Sequence, residues 1–124
     1  MPLLARVGVA ALATAHSAAL AYGDVKRVEL ALALANAPKL LLMDEPTAGM
    51  AVAMRGELMR LTAELAHRER LAVLFTEHDM DVVFGFADRV IVLDRGAIIA
   101  EGPPAAIRNN PLVQAVYLGP DETI

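Results

Sequence analysis

From Leu3 to Ala19 the apolar positions Leu4, Val7, Ala11 and Ala15 recur at helical spacing, and Gly8 breaks the stretch into short helices. A clearer helix is predicted from Asp24 to Ala37, with Val25, Val28, Leu32 and Ala35 along one face. Lys26, Arg27 and Glu29 crowd its exposed start, and Pro38 closes it. Leu40 to Met43 is a continuous apolar run ending at Asp44-Glu45-Pro46, the pattern of a strand buried on both faces. Met54, Leu58, Leu61 and Leu65 then mark an amphipathic surface helix, whose outer face carries Glu57, Arg60, Glu64 and Arg68 at spacings that suit ion pairs. A second apolar run, Leu71 to Thr76, ends at Glu77-His78-Asp79. Strand, helix and strand in this order imply parallel pairing through a crossover. After a short helix from Met80 to Ala87, the segments 90–93 and 97–100 flank a turn at Asp94-Arg95-Gly96 and read as a hairpin that Gly102-Pro103-Pro104 ends. One short helix fits between these prolines and Asn109-Asn110-Pro111, and another from Leu112 to Leu118, before a polar tail.

Composition narrows this α/β picture. The 124 residues suit one compact unit or part of a larger domain, and with 56% hydrophobic but only 4% aromatic residues the core is built from Ala, Leu, Val, Ile and Met. Met43, Met50, Met54 and Met59 are read as gap-fillers in it. A formal charge of -4 provides no broad attraction to nucleic acid. There is no cysteine, hence no disulfide or thiolate metal site, which fits the cytoplasm. The apolar stretch from Leu3 to Tyr22 is interrupted by Arg6, Gly8 and His16 and is rich in Ala, which argues against a membrane span or leader.

The strongest candidate chemistry lies at the carboxyl ends of the two predicted parallel strands, where open α/β sheets bind ligands. Phosphoryl transfer to water needs a carboxylate for Mg²⁺, a second carboxylate to orient or deprotonate the water, and a polar group on the γ-phosphate. Asp44, Glu45 and His78 can fill these roles. The same residues also suit structure alone, Asp44 and Glu45 as caps of the following turn, His78 and Asp79 as caps of the next helix. Gly23-Asp24 before a helix admits an anion at the helix start, or is an ordinary N-terminal cap. Asp79 and Asp81 are read as helix-start acids, and His16 and His67 have no ligand-spaced partners.

Taken in order, these segments resemble ATP-binding cassette ATPases. Leu20 to Asp24 is similar to their signature sequence, Leu40 to Pro46 to their Walker B strand, Ala48-Gly49-Met50 to the start of their D-loop, and His78 to their switch histidine. The resemblance extends nearly end to end. Tyr22-Gly23-Asp24, Ala48-Gly49-Met50, residues 77–81 and the tail from Gly102 through Asn110-Pro111 to Tyr117-Leu118-Gly119 look most like the ATP-binding subunits of branched-chain amino acid importers. It implies part of a P-loop NTPase fold: a helical-subdomain portion with the signature (1–37), the C-terminal part of the ATPase core with parallel strands (38–102), and a subfamily-type tail (103–124). It further implies ATP and Mg²⁺ as cofactors, Asp44 on Mg²⁺ through water, Glu45 as general base, and His78 on the γ-phosphate. Ala21, Tyr22, Gly23 and Asp24 would face the ATP of a second ATP-binding subunit, in a homo- or heterodimer bound to membrane permease subunits on the cytoplasmic face of the cell membrane.

Three departures shape the expectation. Ala21 stands where the family usually has Ser, and Ala51-Val52 where it usually has a polar residue often followed by Pro, so two contacts across the dimer are expected to be weakened. No Gly-x-x-x-x-Gly-Lys-[Ser/Thr] loop and no glutamine loop occur in these residues. Family order puts both before residue 1, implying that Met1 is an internal start, a truncated frame or half of a split protein, and that the chain alone is inactive. A rival reading is a non-catalytic module lending its signature surface to a complete ATPase. A chromosome-maintenance ATPase is disfavoured by the lack of a long heptad region or basic stripe.

Overall fold

The computed structural model describes residues 3–14 and 21–118, and the chain divides into two compact units, Met1–His78 and Asp79–Ile124. The first contains α1 (Leu3–Arg6), a 3₁₀ turn (Ala10–Leu12), α2 (Tyr22–Leu34), β1 (Leu40–Asp44), α3 (Val52–Glu69) and β2 (Ala72–Thr76). Gly8, at φ 79°, makes the predicted break after α1. His16 and Leu20 lie outside the described residues.

As the crossover order predicts, β1 and β2 pair in parallel, from Leu40 opposite Ala72 to Asp44 opposite Thr76. Leu41, Met43 and Val73 on one face meet Leu30, Ala31 and Leu34 of α2 and Leu65 of α3, and Val7 and Val9 complete that core. The predicted face of α3 holds at Leu58, Leu61 and Leu65 and fails at Met54, whereas that of α2 needs more correction. On α2, Leu32 points to solvent while Leu30, Ala31 and Leu34 are buried; on α3, Met54 is exposed while Leu58, Met59, Thr62 and Leu65 are buried. α2 is buried on a narrower arc than its composition implied, because Ala and Leu occur around much of it and leave its apolar stripe undefined. Glu57 faces Arg27 of α2 at 3.8 Å, an inter-helix pair rather than one along α3.

The strands also differ from expectation. Predicted as buried on both faces, β1 is covered on one only. Leu42 is 67% exposed, and Leu40 and Leu74 beside it are also largely bare, since α2 and α3 both pack on the opposite face. Such an apolar surface favours association. Leu42→Lys with Leu74→Lys is therefore expected to lower self-association of the purified chain in sedimentation velocity, while changing stability by no more than about 0.5 kcal/mol per site. Unchanged association would show that this face is not what drives it.

The second unit holds α4 (Met80–Phe86), β3 (Val90–Asp94), β4 (Ala97–Gly102), α5 (Pro104–Arg108), α6 (Pro111–Val113) and a π-helical turn (Gln114–Leu118). Asp79 caps α4, accepting from the Asp81 and Val82 amides, and Asn110 caps α6 likewise. The β3–β4 hairpin turns at Arg95 and Gly96, both at positive φ as a tight twisted turn requires. Val90, Val92, Ile107 and Val113 form its core. Among the described residues, no helix is long and apolar enough to cross a membrane.

Candidate functional site

The carboxyl ends of β1 and β2 bring the expected acidic and imidazole groups together within the first unit. In-register pairing sets Asp44 beside Thr76, whose hydroxyl donates to Asp44 Oδ1 at 2.6 Å. The Glu45 amide donates to the Thr76 carbonyl and hydroxyl oxygens, each at 3.0 Å. Glu45 itself is left-handed, at φ 45°, a conformation that a non-glycine residue keeps only where its surroundings over-determine it. That bend turns the chain at the strand tip. Its Oε1 meets His78 Nε2 at 2.6 Å, and the imidazole is 81% exposed. An oriented carboxylate beside an accessible imidazole is an arrangement suited to handling a water molecule and an anionic ligand.

The turn that follows is held from three sides. Thr47, 2% exposed, donates through its amide (3.0 Å) and its hydroxyl (2.6 Å) to Glu77 Oε1. Arg55 Nε donates to the Met50 carbonyl at 2.9 Å. The Tyr22 hydroxyl, from the start of α2, donates to the Ala48 carbonyl at 2.9 Å.

At that helix start, Ala21 occupies the N-cap position without any side-chain oxygen to cap with, and Asp24 supplies the acid of the first turn. Gly23 is buried; a Cβ there would come within 2.1 Å of Met54 Cε, so the glycine permits close approach of α2 to α3. Lys26 lies 5.3 Å from the Tyr22 ring centroid and 3.4 Å from Glu29. Burial pushes the Lys26 ammonium down, but Glu29 and Tyr22 outweigh it and its pKa lies above the ordinary value.

Asp44, Glu45 and His78 are thus brought together, and the cap role left open for Asp79 is its observed one, whereas His78 faces Glu45. Sequence reasoning missed Thr47, Thr76, Glu77 and Arg55. Thr76 was detectable in principle, as the polar residue ending a run similar in length to the one ending at Asp44. Among the described residues, no group of three or more His, Asp or Glu is arranged to hold a metal ion by itself.

The fold has known counterparts. A family model described as "ABC transporter" matches residues 2–48, and one described as "Branched-chain amino acid ATP-binding cassette transporter" matches residues 97–119. The chain superposes on MJ1267, an ATP-binding cassette of an ABC transporter in its ADP conformation, with a TM-score of 0.86 at 30% identity, covering 94% of this chain and 47% of that one. It superposes on cbiO1 from Clostridium perfringens, part of the ABC transporter complex cbiONQ, with a TM-score of 0.82 at 32% identity over the same shares. The fold is that of the P-loop ATPase cassettes, in part, and the family matches of this chain are to ATP-binding cassette transporters, over residues 2–48 and 97–119.

Among proteins of that family, the chain is similar to the high-affinity branched-chain amino acid transport ATP-binding proteins LivG of Salmonella typhimurium, 41% identical, and BraF of Pseudomonas aeruginosa, 37% identical. Each alignment covers 94% of this chain and 46% of the relative, so the chain spans about half the length of the curated relatives it matches.

Proposed function

We propose that this chain contributes the Walker B, signature, D-loop and switch-histidine part of the ATP-hydrolysing subunit of an importer for branched-chain amino acids or a similar solute. The observation that carries the reading is the 2.6 Å contact of Glu45 with His78 at the ends of two parallel strands. Relatives named for branched-chain amino acid transport and the match of residues 97–119 support the solute class.

On this reading Glu45 takes a proton from the attacking water, with one carboxylate oxygen steered by His78 and the other open to the water. His78 contacts the γ-phosphate. Asp44 fits an Mg²⁺ ion held through water: Thr76 donates to Oδ1, Oδ2 remains to accept from a metal-bound water, and Mg²⁺ keeps several waters while using one or two carboxylates. Bound there, the ion would neutralise charge on the phosphates. Ala21 to Asp24 address the ATP held by a second ATP-binding subunit, and the ATP-binding subunits dock on membrane permease subunits from the cytoplasmic face.

These 124 residues contain no Gly-x-x-x-x-Gly-Lys-[Ser/Thr] loop, the backbone cradle and lysine that grip the β- and γ-phosphates. The chain alone is expected to bind ATP very weakly and release phosphate at no more than background. Mixing it with a subunit that carries such a loop is expected to restore turnover that depends on Glu45. Robust hydrolysis by the chain alone would sink this account; stable co-purification with a complete ATPase whose turnover ignores Glu45 would favour a non-catalytic module instead.

A further inference from the structure

We propose that Tyr22 is a positioning residue whose hydroxyl ties the first turn of α2 to the turn after Glu45, so that the two segments move as one. The inference rests on the functional reading above for its purpose, but its geometry stands apart from it.

Tyr22 and Ala48 are 26 residues apart, and their hydrogen bond of 2.9 Å joins two segments distant along the chain. Inside the turn, the Ala48 amide donates to Glu45 and the Met50 amide to Thr47, using those two carbonyls. The Ala48 carbonyl takes its hydrogen bond from Tyr22. The ring also lies against Gly49, where a Cβ would sit 3.5–3.7 Å from Tyr22 atoms, and Gly49 is at φ 76°. One residue on, Gly23 brings α2 against Met54 in the first turn of α3. The start of α2 therefore grips the turn after Glu45 on one side and the helix that follows it on the other.

Core filling does not account for this tyrosine. It is 50% exposed, and phenylalanine would preserve the ring's contact with Gly49 and with the Lys26 ammonium. What phenylalanine lacks is the hydroxyl, which donates to the Ala48 carbonyl and also helps hold the Lys26 ammonium. With Glu77 holding Thr47 and Tyr22 holding Ala48, the same short turn is anchored both to the strand end that carries His78 and to the helix start. A ligand that engages residues 21–24 would then be felt at Glu45, and the reverse, through two intervening hydrogen bonds.

The test is site-resolved amide exchange on the full chain and on Tyr22→Phe, with no nucleotide present. Loss of one hydrogen bond of ordinary net strength is expected to raise exchange about three- to ten-fold at the amides of 48–50 and in the first turn of α2, leaving Leu41 to Met43 unchanged. The Ala48 carbonyl carbon should shift upfield in the variant. No change at either end, or an equal rise throughout the unit, would overturn the proposal, the latter because it reports general destabilisation. In the unmodified chain, ring-to-Gly49 nuclear Overhauser effects are expected, and their absence would overturn it independently of whether the variant folds. None of these readouts needs ATP, so a failure of the proposed function and a failure of the tie are separately visible.

Discussion

In an assembly where this chain supports ATP turnover, Glu45→Gln is expected to lower kcat about 10²–10⁴-fold with little change in KM, the range attributed to a positioned general base. Glutamine keeps the size of the side chain and can still accept from His78 Nε2, so the geometry of the strand tip survives. It cannot take a proton from water. The left-handed backbone at this position is held by the amide bonds to Thr76, which do not involve the side chain, and the substitution therefore leaves the bend intact. Steady-state phosphate release together with ATP titration separates the two parameters. A variant retaining most of its turnover would remove Glu45 from the role of base, and a rise in KM with unchanged kcat would make it a ground-state binding group instead.

Much of this molecule was legible in the sequence, for identifiable reasons. Two apolar runs of similar length separated by a helix specify a parallel pair, and each ends in polar residues, so the register that aligns the runs also aligns Asp44 with Thr76. The hairpin was legible because Arg95-Gly96 supplies the backbone its turn demands. The buried face of α2 was not. In α2, alanine and leucine follow one another through residues 30–34, and only the position of the sheet decides that Leu32 is the one left in water. Burial of β1 was overestimated because a continuous apolar run records the surroundings a strand is suited to, whereas α2 and α3 cover a single face here. The side chains that brace the site were hidden for another reason: Thr47 and Glu77 are 30 residues apart, and no local pattern links a threonine in a turn to an acid beyond a strand.

Glu77→Ala is the substitution expected to damage the first unit most for a residue that carries no reaction step. Thr47 is buried at 2% exposure and points both its amide and its hydroxyl at one oxygen, Glu77 Oε1. Alanine strands two buried donors at once. Each unsatisfied donor costs about 1–3 kcal/mol, so a loss of roughly 2–6 kcal/mol is expected if water does not reach them. Glu77→Gln retains an acceptor oxygen but forfeits its charge and should lose less, whereas Thr47→Val removes the hydroxyl and leaves the amide paired. Comparing Glu77→Ala, Thr47→Val and the double variant by urea unfolding isolates the shared term, expected as a coupling of about 0.5–3 kcal/mol. Strict additivity would mean that the turn does not depend on this clasp. If the coupling is present, the same clasp fixes the distance between the end of β2, which carries His78, and the turn that begins at Glu45, so a loss of stability in Glu77→Ala should be accompanied by loss of the Glu45–His78 contact even where both residues are intact.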